Sequence, residues 1–103
     1  MLYITVLLYG KQKIKGEFRD YETKALNIFK KYGGEIIAAY VPVNNGSKED
    51  APDEIQILKI ANHAELENFM SDPERVNMAE ERSRVIRHTE IYLSDEMIGY
   101  WRN

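Results

Sequence analysis

Cysteine is absent from this 103-residue chain. Its absence excludes a disulfide framework, a thiolate metal site and a cysteine nucleophile, and it fits a reducing compartment. Concentrated positive charge is also missing. Lys and Arg number 14 against 17 Asp and Glu, and the net charge is −3. Binding to nucleic-acid phosphates needs a basic surface. The one basic cluster, Arg82, Arg84, Arg87 and His88, is interleaved with Glu80, Glu81 and Glu90, so nucleic acid is not an expected partner. The apolar opening, Met1 to Tyr9, is far shorter than the roughly 20 residues of a membrane span. It also lacks the leading positive charge and trailing small residues of a signal peptide. No membrane association is expected, and the cytoplasm is the default location. The only histidines are His63 and His88. They are far apart and in neither HxH nor HxxxH spacing, so no metal and no other cofactor is expected. Gly33 and Gly34 lack the context of a phosphate loop. Ser47, Ser71, Ser83 and Ser94 lie in no nucleophile elbow.

What is present is the composition of one globular domain. At 44% hydrophobic and 30% charged residues, the chain can bury a core without staples. The segment Leu2-Tyr3-Ile4-Thr5-Val6-Leu7-Leu8-Tyr9 is rich in β-branched and aromatic residues and reads as a strand, ended by Gly10 and the polar run from Lys11 to Lys15. Phe18, Tyr21, Ala25, Ile28, Phe29 and Tyr32 then recur at spacings of three and four, which predicts a helix over Glu17–Tyr32. Its acidic first turn and the Lys30-Lys31 end suit the helix dipole, and Gly33-Gly34 stops it, one of the two in the left-handed conformation. A second strand is expected over Glu35–Val43, an exposed polar loop from Asn44 to Pro52, and a third strand over Glu54–Ala61. Asn62 with Glu65 reads as a capping box for a short helix that turns Leu66, Phe69 and Met70 inward. Asp72-Pro73 starts another helix, with Val76, Ala79, Ser83 and Ile86 as its expected inner face. A last strand runs over His88–Leu93, and the tail, 94–103, carries Met97, Ile98, Tyr100 and Trp101.

This order, β-α-β-β-α-β, predicts an α+β, ferredoxin-like domain spanning 1–103: a four-stranded antiparallel sheet with helices on one face. The other face should then be polar. It is not. The first strand is apolar or aromatic at both parities, with Tyr3, Leu7 and Tyr9 opposite Leu2, Ile4, Val6 and Leu8. Ile36 and Ile37 alternate faces in the second strand, as do Ile57 and Leu58 in the third. Ten tail residues cannot cover four strands. A second copy of the sheet can, so a homodimer through the open sheet face is expected, with roughly 800 Å² or more hidden per copy.

These residues carry a family resemblance. The strand Tyr3-Ile4-Thr5-Val6, Tyr21 with the Lys31-Tyr32-Gly33-Gly34 stop, the stretch Pro52 to Leu58, and the run Ala64 to Glu74 with Arg82 beyond it resemble the dimeric α+β barrel superfamily, and within it most the DUF1330 group of small uncharacterised proteins. The resemblance spans about Leu2 to Leu93. It implies a ferredoxin-like subunit whose sheet pairs with its twin as a barrel, and no known reaction for the group. Related barrels include cofactor-free monooxygenases, haem-degrading enzymes, dehydratases and isomerases of small ring compounds, and ligand-binding regulatory modules. The Asn, Trp and His set of the haem-degrading relatives has no counterpart here: Thr5 stands where the Asn is expected, and Trp101 lies in the tail. The third strand ends Lys59-Ile60-Ala61 instead of the Glu-Phe-Pro frequent in the group.

Candidate chemistry rests on few residues. His88, Glu90 and Tyr92 share a parity on the last strand, which neighbours Tyr3, Thr5 and Tyr9 of the first in this topology. Such a row can line a pocket, form a hydrogen-bonded interface or be a solvated edge. Tyr21 lies on the inner stripe of the first helix, where a buried hydroxyl requires a partner. Arg82 and Arg84 can hold a carboxylate or enolate oxygen, or pair with Glu80 and Glu81 at the surface. His63 sits in a helical first turn, where exposure is the ordinary state. The catalytic candidates are thus Tyr21, His88 and Arg82, and the ligand-binding candidates Tyr3, Thr5, Tyr21 and Tyr92. They imply a pocket between sheet and helices for a small apolar or cyclic compound. The alternative is a non-enzymatic dimerisation or ligand-sensing module with a closed, dry core.

Overall fold

The computed structural model describes residues 1–11, 15–43 and 51–101. The elements are β1 (Leu2–Gly10), α1 (Lys15–Lys31), β2 (Glu35–Tyr40), β3 (Glu54–Ile60), α2 (His63–Met70), α3 (Pro73–Val76), α4 (Ala79–Val85) and β4 (Ile86–Ser94). The sheet runs β2-β3-β1-β4, and every pairing is antiparallel. This is the ferredoxin-like arrangement, with its second crossover helix broken into three pieces. The expected second strand ends earlier, at Tyr40, and most of the expected polar loop, 44–50, lies outside the described residues, as do 12–14 of the run after β1.

Register assigns the faces. Ile4 stands between Leu58 of β3 and Leu93 of β4, and Val6 between Gln56 and Ile91. With the period of two, Leu2, Ile4, Val6 and Leu8 therefore share the helix-covered face with Leu58 and Ile60, and all six are buried. Phe18, Tyr21 and Phe29 of α1 close over them. Phe29 meets Phe69 of α2 edge to face, centroids 5.2 Å apart, a geometry that the ring quadrupoles favour.

The end of α1 is fixed by backbone chemistry. Gly33 adopts φ 80°. Its N–H donates to Lys30 O at 3.0 Å and that of Gly34 to Phe29 O at 3.2 Å, the paired bonds of a Schellman stop. Gly34 is held to glycine by space instead: a Cβ there would overlap the Phe29 ring. Asn62 caps α2 by accepting from Glu65 N at 2.9 Å, and Asp72 caps α3 by accepting from Arg75 N at 3.0 Å. Asp72 also accepts from the Tyr32 hydroxyl at 2.5 Å and faces Lys31 at 3.3 Å. The α2–α3 junction is thereby tied to the end of α1.

One expectation is corrected. Val76, Ala79 and Ser83 are exposed, and Met70 is partly so. The inner stripe of α3–α4 lies one residue earlier: Arg75, Met78, Arg82 and Val85. The phase differs because two of these four positions hold arginine, which an apolar-periodicity rule counts as outward. Ile86 is buried as expected, but as the first residue of β4.

The second sheet face is uncovered among the described residues. It presents Tyr3, Thr5 and Leu7 beside Ile55 and Ile57, with Tyr92 on β4 and Tyr40 on β2. Tyr40 and Tyr92 are more than half exposed. Tyr9, of the same parity, is buried at a bulge after the Tyr9–His88 pair, its ring 5.3 Å from that of His88. In the tail, Met97, Ile98, Tyr100 and Trp101 are exposed. No helix is long and apolar enough to cross a membrane among the described residues.

Candidate functional site

A cavity of about 250 Å³ lies between the helices and the sheet. Its floor is the apolar inner face of β1, β3 and β4, and its roof is α1 from Tyr21 to Phe29. Leu66, Phe69 and Met70 of α2 form one wall, and Arg75 and Arg82 reach in from α3 and α4. At the β4 edge, Ile91 and Leu93 line the cavity yet are about half exposed, so it opens there.

Polar groups enter this apolar space at few points. Gln56 takes the inward parity of β3, between Glu54 and Leu58. Its Nε2 donates to Glu22 Oε1 at 2.9 Å and to Glu54 Oε2 at 2.7 Å. Glu22, one helical turn on from Phe18, is itself buried. Burial pushes its carboxyl up to about 6; the bond from Gln56 opposes that, the Glu54 charge adds to it, and the Arg82 and Arg75 charges oppose it. Burial also raises the Tyr21 phenol, and the Glu22 charge adds to the rise. Arg82 Nη2 donates to Thr89 Oγ1 at 3.0 Å. Arg75 Nη1 donates to Met70 O at 3.0 Å, and its guanidinium lies 5.1 Å over the Phe69 ring. A carboxyl near 6 can give or take a proton near neutral pH. The site thus combines an acid–base group, a phenol and two cations inside an apolar enclosure.

The residues singled out in the sequence divide between two faces. Tyr21 and Arg82 line the cavity. Tyr3, Thr5, His88 and Tyr92 do not: Thr5 pairs with Tyr92 and Tyr9 with His88 on the face away from the helices. Alternation along the strands places the sheet itself between this row and the cavity. There His88 Nε2 stands 3.4 Å from Glu90 Oε1, and the Tyr92 hydroxyl donates to Glu90 Oε2 at 3.4 Å, a self-satisfied and exposed row. Arg84 points away and meets Glu17 at 3.2 Å, and His63 is exposed. Sequence reasoning missed Glu22, Gln56, Arg75 and Thr89. Two of them had a signal: Gln56 is the lone uncharged polar residue in Ile55-Gln56-Ile57-Leu58, and Glu22 lies four residues after Phe18 and four before Leu26 on the apolar stripe.

No family model matches the chain, and no curated protein does. Solved structures do. A protein of unknown function from Rhodopseudomonas palustris superposes with a TM-score of 0.77 at 11% identity, over 94% of this chain and 82% of that one. An uncharacterised NIPSNAP domain protein from Burkholderia xenovorans gives 0.70 at 13% identity, covering 100% of both chains. A dabb family protein with a ferredoxin-like fold from Mesorhizobium loti gives 0.67 at 14%, over 93% of this chain and 96% of that one. At such identities the likeness is one of fold, and the fold of this chain is the ferredoxin-like one that it shares with these NIPSNAP and dabb proteins.

Proposed function

We propose that this protein binds a small, predominantly apolar compound in the cavity between the helices and the sheet, where Glu22 exchanges a proton with it and the Tyr21 phenol offers it a hydrogen bond, without a cofactor. The observation that carries this reading is the cavity itself, about 250 Å³ with a buried carboxyl near 6 on its wall. An apolar cavity of roughly 150 Å³ already admits benzene, and small-molecule sites begin at about 300 Å³. The volume therefore favours a compound somewhat larger than a single six-membered ring. A plain dimerisation module calls for a closed, dry core, and an apolar residue at 22 or 56 would serve such a core better than a Glu–Gln pair.

We also propose a homodimer through the uncovered sheet face, supported by Leu7, Ile55 and Ile57 on it and by the slab-like 44 × 39 × 16 Å extents of the single chain. Membership of the dimeric α+β barrel superfamily, nearest the DUF1330 group, and residence in the cytoplasm belong to the same proposal. Native mass spectrometry of the freshly purified protein tests it. A dimer that carries a co-purified small molecule, lost on Leu66→Trp substitution in the cavity wall, supports both parts. A monomer removes the interface. A dimer that takes up no small apolar compound on titration removes the binding reading.

A further inference from the structure

We infer that the compound held in this cavity is an anion, an apolar or aromatic monocarboxylate whose headgroup is read by Arg82 and Arg75. This inference rests on the binding reading above and narrows it to a chemical class.

The motivating fact is a pair of cavity-lining guanidiniums with no carboxylate of a described residue at ion-pair distance, in an acidic chain. Four other cations do find carboxylates: Lys24 meets Glu81 at 3.1 Å, Lys31 meets Asp72 and Glu74, Lys59 meets Glu35, and Arg84 meets Glu17. Arg82 follows Glu80 and Glu81 directly in sequence, yet Glu81 is taken by Lys24, and Arg82 turns inward to the neutral hydroxyl of Thr89. Arg75 is held by the neutral carbonyl of Met70 and the Phe69 ring. Neither forms an ion pair with a described residue, and both line the cavity. A guanidinium carries five donors. The bonds to Thr89 and to the Met70 carbonyl use one donor of each, and both guanidiniums line an enclosure whose remaining walls are largely apolar. A planar carboxylate fits a guanidinium fork, and the apolar walls ask for an apolar body behind it.

Glu22 shares the space, and its charge opposes an anion. The groups around it are Tyr21 on α1, Gln56 and Glu54 on β3, Arg75 on α3 and Arg82 on α4, with Glu81 acting on the neighbouring Tyr21. Burial already favours its protonated form, and an anion beside it acts in the same direction. Binding therefore takes up a proton at Glu22, and protonated Glu22 becomes a donor to the ligand. Affinity for a carboxylate should rise as the pH falls from neutral toward the Glu22 range.

The test compares 3-phenylpropanoate with 3-phenylpropanamide, equal in shape and different in charge, by NMR titration of the labelled full chain. The backbone amides of Phe69 and Ile91 report the cavity. We expect the carboxylate to bind more tightly by roughly tenfold, the size of one charge-assisted hydrogen bond. Arg82→Gln should bring the two within about twofold of each other, while Arg84→Gln, at a surface pair outside the cavity, keeps the preference. Equal binding of acid and amide by the unsubstituted protein overturns the anion assignment and leaves the binding reading standing. Failure of both compounds to move the cavity amides at millimolar concentration overturns the two together. Because the acid–amide comparison needs no variant, the result does not depend on Arg82→Gln folding.

Discussion

Replacing Glu22 by Gln should stabilise the protein at neutral pH. The carboxyl rises from 4.5 to about 6, chiefly through burial, and each tenfold change in protonation corresponds to about 1.4 kcal/mol. The ionised form is thus disfavoured in the folded chain by about 2 kcal/mol. For an acid whose folded value lies above its unfolded one, the contribution is fully present below 4.5 and is lost as pH rises through about 6. Glutamine keeps an oxygen that accepts the Gln56 bond and carries no charge to desolvate. Urea denaturation followed by circular dichroism should therefore find the two proteins equal near pH 4.5. By pH 7.5 the Glu22→Gln variant should lead by up to about 2 kcal/mol, or roughly 10 °C in Tm for a domain of this size. A variant less stable than its parent at pH 7.5, or an offset that does not change with pH, would refute the reasoning.

Asp72 behaves in the opposite sense. The Tyr32 hydroxyl, the Arg75 N–H and Lys31 hold its carboxyl down at about 2, so Asp72→Asn should lower Tm above pH 4, and the two proteins should converge as pH falls from 3.8 toward 2. Gly34→Ala should lower stability by about 1–3 kcal/mol because the new Cβ meets the buried Phe29 ring; a variant that unfolds at the same urea midpoint would show that the ring can move aside. Ile57→Arg, on the uncovered sheet face opposite Thr5 and Ala38, should dissociate the proposed dimer in sedimentation equilibrium. Monomer stability should stay within about 0.5 kcal/mol, since the side chain points away from the core.

Much of the fold was legible because it rests on local chemistry. Alternation in β1, the three-and-four spacing from Phe18 to Tyr32, the paired glycines and the Asn62 and Asp72 caps each express a backbone preference within a few residues. The two-faced apolar character of the first strand was equally plain, since it needs only parity. The site was less legible. Tyr21 and Arg82 were singled out and line the cavity, but Tyr3, Thr5, His88 and Tyr92 were expected beside them and lie across the sheet. Proximity in strand order does not give proximity in space, because adjacent strands share residues on both faces.

By itself, then, the sequence determined the element order, the stops and caps, and which strand positions are apolar, because these follow from periodicity and from the conformational limits of Gly, Pro and Asn. Only the tertiary structure decided that Arg75 and Arg82 turn inward, that Glu81 goes to Lys24, and that Gln56 bridges Glu22 and Glu54. Those choices depend on which charges meet across elements distant in sequence and on how much water remains around them. No local pattern encodes either quantity.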